Sequence, residues 1–226
     1  MFSPDTDADV ASLYVHALAD EPTRSWRANG RKIQSIAVGK IFAVGERRAR
    51  APELSESELR FQHAVVVHIA GRVPAVLPAQ FGALVDDKAL DSILRQREST
   101  IREAMTLVRG RVQMTLRTVA RVRQSTEENV GSASGRTGPV SGKQYLERRR
   151  GEASTQLPAR VEKLVARAAR CVAAERREAT RAGTIAVYHL VEKSDVDAYR
   201  EALDDLRGVT VSGPWPPFAF VPELWS

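Results

Sequence analysis

An α+β fold of two mixed domains is what this sequence predicts, on three observations. Short β-rich runs open the chain and give way to helical periods. A Gly/Ser-rich stretch then interrupts it, and a strand–helix–strand series comes near its end. At 226 residues the chain is long enough for one to two domains and for a core that needs no disulfide or metal.

The first strand is read over Ser12–Leu18, where β-formers run up to Asp20, Glu21 and Pro22. Ile33–Val38 and Ile41–Gly45 form two more, joined by Gly39-Lys40 as a two-residue hairpin turn. Ser55 with Glu58 three residues on has capping-box spacing and starts a helix that runs to about Gly71-Arg72, where Pro74 follows. Val76–Val85 is an apolar run punctuated by Pro78 and Gly82, which suits an edge or bulged strand. Asp86 and Asp87 open a second helix through Leu90, Leu94, Ile101, Met105 and Val108 to Gly110. From Arg111 to Arg123 apolar and polar residues alternate, the clearest period of two in the chain.

Ser125–Gly142 holds four Gly, four Ser and a Pro, the composition of a linker or mobile loop. The expected organisation is therefore an N-terminal domain over 1–124, a linker over 125–142 and a C-terminal domain over 143–226. A basic helix is expected from about Lys143 to Arg181, kinked or broken at Leu157-Pro158, with Val161, Leu164, Val165, Ala168 and Val172 as its apolar stripe. Thr184–Val191 reads as a strand, Ser194 caps a helix through Tyr199 and Leu206, and Gly208–Ser212 is a strand again. That order predicts a right-handed crossover between two parallel strands.

Lys and Arg total 34 against 28 Asp and Glu, a net charge of +6. Between Arg136 and Arg181 there are 12 basic and 5 acidic residues, a local +7, so the remainder carries −1. The positive charge is thus confined to one region and reads as a solvated or protein-docking helix face. A base-stacking platform, an RNP-like signature, a GxxG clamp and zinc-finger spacing are all missing, which argues against nucleic acid as the partner.

His63 and His68 are five residues apart rather than four, with no HExxH around them, and Cys171 is the single cysteine. No GxSxG, P-loop or GxGxxG occurs, so no catalytic residue, cofactor, metal or small-molecule substrate is expected. The longest apolar runs fall far short of the roughly 20 residues that span a bilayer. Met1–Asp7 carries acid where a signal peptide carries base, and the lone cysteine fits a reducing compartment, so the expected location is the cytoplasm. The ending Gly213–Val221 is unusual: Pro214, Pro216 and Pro217 stiffen a segment that bears Trp215, Phe218 and Phe220. It reads either as a strap over the core or as an apolar surface for a partner.

Leu13-Tyr14-Val15, His63, the block Val76–Gly82, Gly110–Met114, Gly142–Leu146 and Gly213–Phe220 occur in the order seen in the gas vesicle protein F/L family, which the chain resembles over nearly its whole length. Two positions depart from the family's pattern: Gln113 stands where an acid is usual, and Ala219 where Tyr is common. The resemblance implies a two-domain α+β protein with a modified ferredoxin-like C-terminal domain. It also implies a non-enzymatic accessory or minor structural protein of gas vesicles that associates with the small shell protein and with other accessory proteins. On that expectation Arg148, Arg149, Arg150 and Arg167 form the electrostatic face, and Trp215 and Phe218 the apolar one. The alternative is a nucleic-acid-binding or ligand-sensing regulator on a ferredoxin-like module, whose nucleic-acid affinity would fall steeply with salt.

Overall fold

The computed structural model describes residues 12–119, 157–179, 184–204 and 208–225. The chain forms two compact units, Met1–Gln113 with Pro214–Ser226, and Met114–Gly213. The expected linker at 125–142 lies outside the described residues. The segment Pro214–Ser226, expected with the second domain, belongs to the first unit.

In the first unit, β1 (Ser12–Ala19), β2 (Trp26–Ala28), β3 (Arg31–Val38), β4 (Ile41–Arg48) and β5 (Val76–Pro78) lie in the order β2-β3-β4-β1-β5. A short β6 (Leu84–Val85) pairs with β1 on the same side as β5. Neighbouring strands are antiparallel. β1 is buried from Leu13 to Ala19, which explains why it reads as a continuous apolar run rather than an alternating one. The expected turn at Gly39-Lys40 joins β3 to β4, with Gly39 at φ +60°. A second hairpin, β2–β3, turns at Asn29-Gly30, where both residues have positive φ. That dipeptide is the preferred hairpin turn and carries the signal for β2, which the sequence reading lacks.

Helix α1 (Glu56–Ala70) starts at Ser55, whose Oγ accepts the Glu58 N–H at 3.3 Å. Only half of a capping box forms, because the Glu58 carboxylate takes Arg31 instead. The inner face of α1 buries Phe61, Val65 and Ile69 against Ala17, Ile33 and Val44 of the sheet. The stretch expected as one helix over 86–110 is two: α2 (Asp87–Gln96), with the Asp86 carboxylate accepting the Ala89 N–H, and α3 (Glu98–Val108). The break falls at Arg97, whose φ of −106° and ψ of 12° leave the helical region, so the apolar period continues while the backbone does not.

A polar cluster ties this sheet to α1. Arg31 is bidentate on Glu58, Arg48 approaches the same carboxylate at 3.4 Å, and both arginines approach Glu46. The hydrogen bonds from Arg31 pull the Glu58 carboxyl down to about 2, against the usual carboxylate range. Its unfolded value is higher, so this stabilisation is complete above about pH 5 and is lost as the pH falls toward 2. Acid should therefore weaken the first unit by roughly 2 kcal/mol over that window, and Glu58→Gln should flatten the dependence. Urea melts at pH 7 and pH 3 read the difference. All three tryptophans, at positions 26, 215 and 225, fall in the first unit, Trp215 just past its boundary at the end of a strand of the second unit's sheet, so their fluorescence reports chiefly on the first unit.

Among the described residues the second unit runs β7 (Arg111–Val119), α4 (Ala159–Ala168), β8 (Val172–Ala179), β9 (Thr184–Glu192), α5 (Val196–Ala202) and β10 (Val209–Trp215), with sheet order β10-β7-β9-β8. This strand–helix–strand–strand–helix–strand series is the element order of ferredoxin-like units. Two expectations need correction. The helix expected over 143–181 ends at Ala168, and Val172–Ala179 is a strand paired antiparallel with β9. Ala, Glu and Arg there favour a helix, but pairing with β9 overrides that preference. The strands flanking α5 are not neighbours either, since β7 lies between β9 and β10. The core of this unit gathers Met114, Leu116, Leu164, Val165, Ile185, Val187 and Tyr199.

Candidate interaction surface

The proline-rich ending divides its side chains between inside and outside. Pro216 and Pro217 are buried, whereas Trp215 and Phe218 are 38% and 40% exposed. A 3₁₀ turn at Phe218–Phe220 closes with Phe218 N–H on the Pro216 carbonyl at 2.8 Å and Phe220 N–H on the Pro217 carbonyl at 3.1 Å. Gln113, itself 5% exposed, holds the turn in place: its Oε1 accepts the Ala219 N–H at 2.7 Å. Gln113 and Ala219 therefore meet in one hydrogen bond, in which the glutamine side chain supplies the acceptor and the Ala219 backbone the donor.

His63 gathers the two aromatics. Its ring stacks on Phe218, with centroids 5.8 Å apart and 18° between planes, and meets Trp215 edge-on at 5.6 Å. His63 lies on α1 between Leu59 and Val67, four residues from each, so the three share one stripe of the helix. Leu59 and Val67 are 45% and 44% exposed. The result is an outward apolar patch built from α1 and the C-terminal turn. Trp215 and Phe218 are the expected apolar residues; Leu59, His63 and Val67 are additions. The spacing of 59, 63 and 67 is legible in the sequence, but which side of α1 faces outward is not.

The basic face is described only in part. Arg148, Arg149 and Arg150 lie outside the described residues. Arg167 is exposed in the second unit and falls in one row with Arg160, Lys163 and Arg170, at helical spacing along and just beyond α4. On β8, Arg177 hydrogen-bonds Glu162 and Glu175, and Arg176 lies 3.4 Å from Glu178, so the charge of that strand is balanced locally.

The polar clusters inside the units tie elements together. Tyr14 Oη donates to Gln62 Oε1 at 2.6 Å, Gln62 Nε2 donates to the Ala79 carbonyl at 2.9 Å, and Gly82 N–H donates to Tyr14 Oη at 3.3 Å. The Val76–Gly82 block is thus a lock between β1 and α1. In the second unit the fully buried His189 bridges Tyr199 Oη, 2.7 Å from Nδ1, and Glu175, 2.9 Å from Nε2. Burial lowers its pKa. A neutral ring beside a carboxylate carries its proton on Nε2, leaving Nδ1 to accept from the tyrosine. Both ring nitrogens are then engaged.

The molecule thus combines two α+β units, each with inward-facing polar ties, and an outward apolar patch on the first. Residues 12–222 match the family described as gas vesicle synthesis protein GvpL/GvpF, and the chain belongs to that family. Its role is thereby a gas vesicle role. The fold is similar to the crystal structure of gas vesicle protein GvpF from Anabaena sp. PCC7120, at a TM-score of 0.64 and 12% identity, covering 94% of this chain and 98% of that one. It is also similar to GvpF from Microcystis aeruginosa, at a TM-score of 0.67 and 9% identity, covering 93% and 98%. No curated protein matches the chain in sequence. Among the described residues no helix is long and apolar enough to cross a membrane.

Proposed function

We propose that this protein is a non-enzymatic assembly factor, acting in the cytoplasm and at the gas vesicle, that binds the small shell protein or sister accessory proteins. The observation that supports this reading is the outward apolar patch of Leu59, His63, Val67, Trp215 and Phe218. A shell subunit awaiting polymerisation carries apolar surface that would otherwise aggregate, and an apolar patch on a folded partner can cover it. Aromatic anchors at the centre of such a patch supply most of the binding energy. The Arg167 row adds electrostatic attraction that salt screens.

The test is a pull-down of the tagged protein against co-expressed shell protein at low and high salt. The wild type should retain its partner at both. Leu59→Glu with Val67→Glu should lower retention at least about tenfold, since each places a charge in the apolar contact. Arg167→Glu should matter only at low salt. A wild type that retains no shell protein under either condition rules out direct shell binding.

A further inference from the structure

On the flank of α1 away from the apolar patch, a cleft of about 500 Å³ opens between the helix and the β2–β3 hairpin. One wall is the consecutive stretch Trp26–Asn29. The other is the helix, through Phe61, Ala64, Val65 and His68, with Ser57 and Arg60 nearer the helix start. Trp26 stacks on His68 at 4.5 Å with 22° between planes, which fixes one end of the cleft as a rigid aromatic surface. Among the described residues two arginines, Arg27 and Arg60, line the cleft, and no carboxylate does. Arg27 spends one nitrogen on the Gly30 carbonyl, and Arg60 reaches out to Glu56 from a side chain that is 79% exposed.

The wall formed by β2 is also the edge of its sheet. Among the described residues β2 pairs with β3 on one side, and the sheet order ends with it. Natural edges of this kind are usually blunted by charge. One of the two edge strands of the second unit shows how: β8 carries the run Glu175-Arg176-Arg177-Glu178. β2 has one charged residue, Arg27, between Trp26 and Ala28, both of which pack toward the core. An open edge beside a helix, with an apolar floor between them, is the geometry in which an extended peptide is added as a further strand.

We propose that this cleft binds an extended acidic segment of a partner protein as an added strand along β2. An added strand alternates its side chains between two faces. One set would meet the helix wall at Ala64 and His68, and the other would follow Arg27, with Arg60 at the mouth. The edge backbone recognises a peptide, and the absence of a carboxylate in the lining selects an acidic one. A nucleic acid would satisfy the arginines but not the strand edge. The inference is independent of the shell-binding reading, because it concerns the opposite flank of α1 and tests a different probe.

The experiment uses the full chain and a fluorescein-labelled ten-residue peptide of alternating valine and aspartate. Its valine–lysine counterpart and a ten-nucleotide oligothymidine serve as controls. The acidic peptide should bind, and amide exchange at Trp26–Ala28 should slow in its presence. Arg27→Gln with Arg60→Gln should weaken binding roughly tenfold while tryptophan fluorescence stays that of the wild type. N-methylation of every second peptide amide should abolish binding, which a purely electrostatic contact would survive. Equal affinity for the lysine peptide, an unchanged affinity in the double variant, protection absent from β2, or an oligothymidine that binds where the peptide does not would each overturn the proposal.

Discussion

Gly45→Ala should unfold the first unit while leaving the second folded. Gly45 sits in β4 opposite Val15 of β1 and Gln34 of β3, so it is enclosed by partners on both sides. A Cβ placed on it would lie 2.2 Å from the Tyr14 carbonyl oxygen and 3.0 Å from the carbonyl carbon. Both are backbone atoms of the most buried strand, so no side chain can swing away to make room. Relief requires β1 and β4 to part where the register between them already slips, at Val15/Ala17. Parting them would disturb Tyr14 and hence its bonds to Gln62 and Gly82. A loss of about 4 kcal/mol or more is expected, the range reached when packing and buried hydrogen bonds fail together. The urea midpoint read by tryptophan fluorescence should collapse, while far-UV circular dichroism retains the transition of the second unit. An unchanged fluorescence midpoint would show that the strands accommodate the methyl group.

The second large effect is expected at Gln113. Gln113→Ala removes the acceptor of the Ala219 N–H, opens a cavity at a site 5% exposed and releases the turn that carries Phe218. The unpaired amide and the cavity together cost about 3 kcal/mol. Trp215 emission should also shift to the red, as the ring loses its packing against His63. Gln113→Glu keeps the acceptor, and at neutral pH its carboxylate should hold the turn at least as well, since a charged acceptor makes the stronger bond. Partner retention should follow the same order: kept in Gln113→Glu, reduced in Gln113→Ala. Loss of stability without loss of retention would detach the turn from the binding surface.

These two sites show what a sequence displays and what it hides. The helix start at Ser55 and Asp86 and the turn at Gly39 are local, and each was legible because one side chain and its near neighbours decide it. The strand β8 was not, because Glu175, Arg176 and Arg177 are placed by β9 and by Glu162 rather than by their own preferences. Trp215 and Phe218 stood out by their prolines, yet their exposure depends on which residues of the turn are inward, and those are Pro216 and Pro217. His63 gives no local signal: its partners lie more than 150 residues away along the chain. The hydrogen bond from Ala219 to Gln113 spans 106 positions and is equally silent in one dimension.

That separation has a consequence for how the protein is made. The first unit is discontinuous, with Met114–Gly213 inserted between its two pieces. A ribosome delivers Gln113 early and Pro214 a hundred residues later, a gap of roughly 5–20 s at ordinary elongation rates. Until then the nascent first unit lacks the turn that seats on Gln113, and His63 waits without its aromatic partners. The inserted unit is free to form before the outer one is finished. The apolar patch on α1 is thus completed only once Pro214–Phe220 has been made, so a chain stopped short of that segment lacks both Trp215 and Phe218.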